Sequence, residues 1–276
     1  MGMVKTFLSF MPSSIHNLPK KENANDDPLR KDDFLLNIIP KNKRESYDIL
    51  PIIKSIVDKS SFFELGKKYG LSVITGLARL DGYPIIVLAN NPQVYGGGWT
   101  TNSCKKIIKI IDLAQVFHFP VLNFIDNPGF IIGKNAEKDG TIKYGAKALA
   151  AMYQFKNPMC SIILRKVFGV AGAAHTNHMN FKFRFAWPSA DTGSLPFEGG
   201  IEAAYKSEIS QSKDPEKFIK DKYVKLNSLT SPFRTAEKFL LENVIDPRDT
   251  RKEACIWIKL AYKKLRTGSS SFGYRP

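Results

Sequence analysis

The chain has 276 residues, 43% of them hydrophobic, which is enough to bury a sizeable core and excludes a disordered or fibrous protein. Its 41 Lys and Arg residues against 26 Asp and Glu residues give a formal net charge of +15 at pH 7. The basic residues are dispersed, without zinc-finger spacing or a strip of arginines and aromatics, so we predict no nucleic-acid partner and interpret the charge as a lysine-rich solvated surface that can steer anionic substrates.

The first part of the chain predicts a division into two segments. Residues 1–45 are polar, rich in turn-forming residues and poor in apolar periodicity, which predicts an extended arm or linker. Residues 46–276 are predicted to form the folded domain. This domain begins with a helix, because apolar residues recur at helical spacing between Ile52 and Val57, and a second short amphipathic turn is expected to follow it.

The middle of the chain alternates between strand and helix signals. Short β-branched runs bounded by Gly, Pro or Asn predict four strands, at residues 72–80, 83–90, 120–126 and 160–166. Stretches with an apolar stripe predict helices at residues 101–118 and 144–156. This alternation indicates an α/β domain with helices packed on a sheet. The chain from residue 214 onward is predicted to be mostly helical, with a break at Asp246 and Pro247.

Cysteine spacing and apolar run length bear on the cellular compartment. The three cysteines, Cys104, Cys160 and Cys255, lie far apart without CxxC spacing, which argues against a disulfide framework or a zinc site and favours a reducing compartment. The apolar stretch near the start is too short for a signal-peptide core, and no later segment offers about 18 uncharged apolar residues for a membrane span. We therefore predict a soluble protein without a membrane partner.

Three familiar site motifs fail on their spacing. The stretch "GFIIGKN" has three residues between its glycines and Asn135 after its lysine, whereas a phosphate-binding loop needs four residues and then Ser or Thr. The stretch "YGGGW" lacks the GxGxxG spacing of a dinucleotide-binding fold. His175 and His178 lie three residues apart, but no Asp or Glu stands nearby at ligand spacing, so no metal site is predicted.

Two glycine-bearing junctions at strand ends remain. The stretches "DNPGF" (126–130) and "FGVAGAA" (168–174) each follow a predicted strand, and the second opens into a predicted helix. Backbone N–H groups at such places have no partner within the secondary structure. In an acyl-transfer or enolate enzyme they can stabilise an oxyanion, whereas in other proteins the small residues serve tight turns and close packing. The residues by themselves leave both readings open.

Seven stretches of the chain, in order between Tyr47 and Leu265, resemble the carboxyl-terminal half of the carboxyltransferase (β) subunit of biotin-dependent acyl-CoA carboxylases, of the propionyl-CoA carboxylase type. These stretches are "YDILPIIKSIVDKSSFFELGKKYG", "TGLARLDGYPIIVLANNP", "FIDNPGFIIG", "YGAKALAAMYQF", "ILRKVFGVAGAA", "AWPSADTGSLPFEGG" and "VIDPRDTRK". The resemblance implies a crotonase-like fold, in which ββα units wind into a superhelix, followed by a mostly helical carboxyl-terminal segment.

The resemblance also implies a reaction, in which CO₂ moves between N1′ of carboxybiotin and the α-carbon of an acyl-CoA such as propionyl-CoA. It implies biotin on a carrier domain as the cofactor, and no metal in this chain. The implied partners are an acyl-CoA substrate, biotin carboxyl carrier and biotin carboxylase components, and an acyl-CoA-binding carboxyltransferase half, assembled as a homo- or hetero-oligomer in the cytoplasm or the mitochondrial matrix. Only residues 1–46 precede the matching stretches, so we expect this chain alone to be incomplete as an enzyme.

The resemblance assigns site residues to both junctions. In the family, two successive backbone N–H groups after the "RK-aromatic-G" turn hold the ureido oxygen of biotin, and here they belong to Val170 and Ala171. The substrate-binding positions that it implies are Asn127, Pro128, Gly129, Phe130, Gly169, Gly172 and Ala173. The chain departs from the family pattern at Val170, where glycine is usual, and at Gly172 and Ala173, where many relatives carry an aromatic and a more polar residue. The approach path and the acyl preference depend on these differences.

The implied scheme needs no side-chain base, because the ureido anion can itself take the α-proton, and the sequence offers no recognisable catalytic dyad or triad. Arg165 and Lys166 could orient the loop, meet anionic ligand groups, or form a structural salt bridge. Two other functions stay open. One is a decarboxylase of the same superfamily, which transfers the carboxyl group from acyl-CoA to biotin, and the other is a non-catalytic subunit that serves only in assembly.

Overall fold

The structure is a computed structural model that describes residues 2–175, 180–193, 201, 204–212, 214–227 and 229–275. His178 and part of the stretch "AWPSADTGSLPFEGG" lie outside the described residues. Within these ranges the chain forms one mixed sheet with helices on both faces.

The strands follow the predicted β-branched runs and add four short ones. In the described part of the chain they are β1 (Phe63–Leu65), β2 (Val73–Leu80), β3 (Tyr83–Asn90), β4 (Val121–Asn127), β5 (Met159–Phe168), β6 (Lys182–Ala186), β7 (Asp191–Gly193) and β8 (Asn243–Val244). The sheet order is β1-β2-β3-β4-β5-β6-β8, with β7 paired to the second half of β5. The first two pairings are antiparallel and the others are parallel, so the carboxyl ends of β3, β4 and β5 meet at one edge.

Helices fill the connections between the strands. The described ones are α1 (Gly2–Phe10), α2 (Leu50–Ile56), α3 (Thr101–Val116), α4 (Lys134–Lys138), α5 (Thr141–Gln154), α6 (Gly169–Ala174), α7 (Lys206–Gln211), α8 (Pro215–Asn227), α9 (Pro232–Glu237) and α10 (Thr250–Tyr262). α3 starts with a capping box, in which the Thr100 hydroxyl accepts from the Ser103 N–H and the Ser103 hydroxyl accepts from the Thr100 N–H. The predicted break at Asp246 is present, because its side chain accepts from the Arg248 N–H and starts a 3₁₀ turn before α10.

The two faces of the sheet carry separate apolar layers. On β3, Ile85 and Val87 pack toward α2 and α10, while Ile86 and Leu88 pack toward α3 and α5. This two-residue alternation with apolar side chains on both faces is what a central strand of a covered sheet requires. The four predicted strands are therefore confirmed as the buried centre of the domain.

One local prediction is wrong. The stretch after α2 was expected to form a second amphipathic turn, but Phe63–Leu65 forms β1 and pairs antiparallel with Thr75–Leu77 of β2. A three-residue strand has almost no periodicity of its own, so its state depends on the pairing partner.

The predicted arm, residues 1–45, contains α1 and a 3₁₀ turn at Asp33–Leu36. Buried arginines of the domain hold it. Arg79 donates to the Ser9 carbonyl at 2.9 Å and to the Glu22 carboxylate at 2.6 Å. Arg251, only 2% exposed, donates to the Asp27 carbonyl at 2.8 Å and to the Asp58 carboxylate at 2.9 Å. The boundary between residues 45 and 46 stays a prediction.

Candidate functional site

The two glycine-bearing junctions lie side by side at the carboxyl edge of the sheet. β4 ends at Asn127 and the neighbouring parallel strand β5 ends at Phe168, directly before α6. The register between these strands shifts near their ends, because Ile125 pairs with Ile163 but Asn127 pairs with Val167. β5 therefore carries two extra residues here, a bulge of the kind that redirects side chains beside active sites.

A buried ion pair fills this bulge. Arg165 Nε donates to Asp126 Oδ2 at 3.0 Å, and the Lys166 N–H donates to Asp126 Oδ1, also at 3.0 Å. Arg165 also donates to the Glu45 carbonyl at 2.7 Å and lies over the ring of Tyr47. Burial raises the pKa of Asp126, while Arg165 and the Lys166 N–H act in the opposite direction. Of the roles considered for Arg165, the structural salt bridge is the one that these contacts support.

The turn after β4 is held by its own side chain and by Trp99. Gly129 has a φ of +133°, which favours glycine, and its N–H donates to Asn127 Oδ1 at 2.9 Å. The Trp99 N–H donates to the Gly129 carbonyl, and the Ile131 N–H donates to the Trp99 carbonyl, both at 3.0 Å. Asn127 is fully buried, whereas Pro128, Gly129 and Phe130 are half-buried.

The ring of Phe130 packs edge-on to Trp99 and lies directly on α5. Its centroid is 5.8 Å from that of Trp99. A Cβ at Gly145 of α5 would come within 2.6 Å of the Phe130 ring, so glycine is required for this approach. The Phe130 ring thus anchors the turn to the helix layer.

α6 has one side exposed to solvent and another side buried in the core. Gly169 has a φ of +62°, which turns the chain sharply from β5 into the helix. Val170 is 61% exposed and Ala173 is exposed, whereas Ala171 is fully buried in the layer formed with α3 and α5. Gly172 is buried, and a Cβ there would lie 2.9 Å from the Val167 backbone. The N–H groups of the first helical turn have no acceptor within the helix.

His175 connects the two junctions, although the sequence singles it out only for a metal site that its spacing argues against. Its ring is 2% exposed and lies between Asn123 and Asn127, with Nδ1 3.0 Å from Asn123 Nδ2 and Nε2 3.1 Å from Asn127 Nδ2. The ring centroid is 5.0 Å from that of Trp99. Burial lowers the pKa of His175 to about 3, and Arg184 acts in the same direction, so the ring is neutral at physiological pH.

A cavity of about 450 Å³ opens beside α6. Its described lining includes small residues of the junction and basic side chains from β6, from α9 and from the residue that follows α9, namely Gly169, Gly172, Ala173, Arg184, Arg234 and Lys238. Positive walls of this kind suit a ligand that carries a carboxylate.

Other kinds of site find no support in the described ranges. No group of three or more His, Cys, Asp or Glu side chains stands close enough there to hold a metal ion. The described helices include none that is both long and apolar enough to cross a bilayer.

The fold is that of a crotonase-like α/β domain. The family model of the carboxyl transferase domain matches residues 1–272, and the chain belongs to this family. The predicted fold class and the resemblance are thereby confirmed.

Two curated relatives illustrate the match. The chain is 31% identical over 267 residues to the propionyl-CoA carboxylase beta chain of Roseobacter denitrificans, covering 96% of this chain and 51% of the relative. It is 28% identical over 251 residues to the methylmalonyl-CoA decarboxylase subunit alpha of Veillonella parvula, covering 91% of this chain and 48% of the relative. The chain thus spans about half the length of the curated relatives it matches.

A solved structure agrees with these relatives. The crystal structure of transcarboxylase 12S with methylmalonyl-coenzyme A and methylmalonic acid bound superimposes with a TM-score of 0.90 at 28% identity, covering 99% of this chain and 53% of that chain. The roles predicted for the individual residues of both junctions stay predictions.

Proposed function

We propose that this chain supplies the biotin-facing half of a biotin-dependent acyl-CoA carboxyltransferase, which moves a carboxyl group between N1′ of biotin and the α-carbon of an acyl-CoA of the propionyl kind. The family membership and the names of the relatives support this proposal. The observation that carries it is the start of α6, where an exposed Val170 and a buried Ala171 follow directly from β5 at the carboxyl edge of the sheet.

The residues at the start of α6 fit the cofactor. Biotin supplies a ureido nitrogen that carries the carboxyl group and a ureido oxygen that becomes more negative when the group leaves. The N–H groups of Val170 and Ala171 are the donors that we assign to this oxygen, and each donor of such an oxyanion hole is worth about 3 kcal/mol. Gly172 has no side chain and Ala173 has a small one, and the cavity that they line, about 450 Å³, lies in the range of ligand pockets.

In this proposal the turn after β4 belongs to the same site. Pro128 and Gly129 are assigned to the substrate-facing edge. Asn127 lies fully buried beneath them and accepts the Gly129 N–H, and Phe130 anchors the turn through Trp99. Asn127 and Phe130 therefore shape the site from behind the surface that the substrates touch.

The partners follow from the same proposal. The second half of the carboxyltransferase binds the acyl-CoA, a biotin carboxyl carrier delivers the cofactor, and a biotin carboxylase loads it. Transcarboxylase 12S forms a hexamer, and a comparable oligomer is proposed for this chain. The three cysteines are free and buried thiols, which supports a reducing location such as the cytoplasm or the mitochondrial matrix.

A second candidate function is the decarboxylase direction, in which the carboxyl group leaves the acyl-CoA for biotin. The similarity to a methylmalonyl-CoA decarboxylase subunit favours it. The same N–H donors serve both directions, because the ureido oxygen is the group that they hold in each.

Reverse transfer tests the proposal. The 276-residue chain is purified with and without an acyl-CoA-binding carboxyltransferase half, and free biotin and methylmalonyl-CoA are supplied. We expect biotin-dependent formation of propionyl-CoA only when both halves are present, since positioning two substrates at one interface supplies much of the rate. Robust transfer by the chain alone would contradict the division between halves. A stable complex of the two halves without transfer would favour the assembly role.

A further inference from the structure

We propose that His175 is a positioning residue that locks the turn after β4 to α6, as a neutral imidazole with its proton on Nδ1. The inference rests on the proposed function only where carboxyl transfer is measured. Its geometric basis is the placement of one buried ring between two asparagines of the same strand, Asn123 and Asn127.

The hydrogen bond of Gly129 fixes the orientation of one asparagine. Because the Gly129 N–H donates to Asn127 Oδ1 at 2.9 Å, the amide group of Asn127 must direct Nδ2 toward His175. Nδ2 is a donor, so the facing atom of His175, Nε2 at 3.1 Å, must accept and carries no proton. Turning the Asn127 amide over would place Nδ2 against the Gly129 N–H and leave two donors facing each other.

The proton of the neutral ring must then lie on Nδ1. Its neighbour at 3.0 Å is the amide group of Asn123. An N–H of His175 needs an acceptor there, so Asn123 presents Oδ1 to the ring. The Ser161 hydroxyl, 3.2 Å from the same amide atom, then donates to this oxygen. Carbonyl oxygen and nitrogen of an amide have nearly the same shape, and the hydrogen-bond network decides between them.

The charged form of the ring does not fit this arrangement. It would donate from both nitrogens and so could not accept from Asn127. The groups around the ring are neutral amides and the indole of Trp99, and the cation Arg184 acts on it from β6. These surroundings disfavour a second proton.

The consequence for the site is a continuous link from one junction to the other. His175 directly follows α6, its Nε2 orients Asn127, and Asn127 in turn holds the Gly129 N–H. The same ring packs on Trp99, whose backbone brackets the turn through Gly129 and Ile131. One imidazole therefore joins the turn after β4 to the carboxyl end of α6.

Nuclear magnetic resonance of the 276-residue chain, labelled with ¹⁵N-histidine, tests the protonation state, with His175→Gln used to assign the signal. We expect a directly bonded proton on Nδ1, none on Nε2, and no titration of this ring between about pH 5 and pH 8. A proton on Nε2, or a ring that titrates in this range, would overturn the assignment. This measurement needs neither a substrate nor a partner.

Two variants of matched size test positioning. His175→Gln keeps a donor and an acceptor, whereas His175→Leu removes both. We expect amide hydrogen exchange at Gly129 to rise about tenfold or more in the leucine variant, and to stay within about threefold in the glutamine variant. Equal exchange in wild type and both variants would refute the link.

A control and an activity readout complete the design. His118→Asn removes another buried imidazole, which contacts the Ile15 carbonyl near the opposite end of β4, and it should leave both Gly129 exchange and transfer unchanged.

With both halves present, His175→Leu should lower kcat about tenfold with little change in KM, and His175→Gln should restore most of it. An unchanged kcat in a folded leucine variant would refute a role in positioning. Absence of transfer in wild type would count against the proposed function alone, because the exchange and protonation results stand independently.

Discussion

The buried, neutral His175 makes the free energy of unfolding depend on pH. The pKa of an unfolded histidine is about 6.5, and burial lowers that of His175 to about 3. Between these values the unfolded chain binds a proton that the folded chain does not. Stability rises with pH wherever the unfolded state binds more protons, so this contribution is complete above pH 6.5 and is lost as the pH falls toward 3.

The size of the effect follows from the two pKa values. At pH 5 the unfolded histidine is almost fully protonated, whereas at pH 7 it is mostly neutral. Each pH unit within the window costs about 1.4 kcal/mol, so lowering the pH from 7 to 5 should remove about 2 kcal/mol of folding free energy through this residue.

Equilibrium urea unfolding measures this loss, with the fluorescence of the buried tryptophans as the signal. The wild type is compared with His175→Gln at pH 7 and pH 5. All other titrating groups contribute equally to both proteins, so the difference between their unfolding free energies should shift by about 2 kcal/mol in favour of the variant at pH 5. A difference that is the same at both pH values would refute the claim that His175 is buried as a neutral ring.

Three further predictions concern the junctions. Val170→Pro deletes one backbone N–H in the first turn of α6, where proline is tolerated, and should lower the rate of reverse transfer at least about tenfold. Val170→Ala keeps this donor and serves as the control. Equal losses of activity in both variants would contradict the oxyanion role. Arg165→Met leaves its aspartate partner buried without a cation and should lower the free energy of unfolding, measured in urea, by about 3–5 kcal/mol. A loss below about 1 kcal/mol would contradict the stabilising role of this ion pair. Gly145→Ala places a Cβ 2.6 Å from the Phe130 ring and should destabilise by about 1–3 kcal/mol. Its control, Gly2→Ala, meets nothing within 4 Å and should unfold like the wild type.

The central strands could be predicted because their signals are local. The runs that became β2 to β5 are β-branched, bounded by turn residues and long enough to show a pattern, and the observed strands start and end within two residues of the predicted ones. The short strands β1 and β8 have no such pattern. They exist because β2 and β6 offer an unpaired edge, and pairing of this kind is a property of the whole sheet.

The site was predictable in part for the same reason. Glycine marks both junctions, and the resemblance adds the pair of N–H groups at Val170 and Ala171. The contacts that hold the junctions are long-range. Asn127 meets His175 across 48 residues, and Asp126 meets Arg165 across 39. No spacing rule connects residues so far apart, which is why the sequence left the role of Arg165 open and gave no sign of the contacts that His175 makes.

The contacts between Arg251 and the amino-terminal arm affect how the protein responds to proteases. Its guanidinium is almost completely enclosed and divides its donors between the arm, at the Asp27 carbonyl, and the domain, at the Ile56 carbonyl and the Asp58 carboxylate. If the arm left, the Arg251 cation would become exposed and would lose the acceptor that the arm provides, keeping only the acceptors of the domain. A nick in the mostly exposed stretch 41–46 should therefore leave two fragments that comigrate on a native gel and separate only in denaturant. The residues before the cut would stay bound to the rest of the chain.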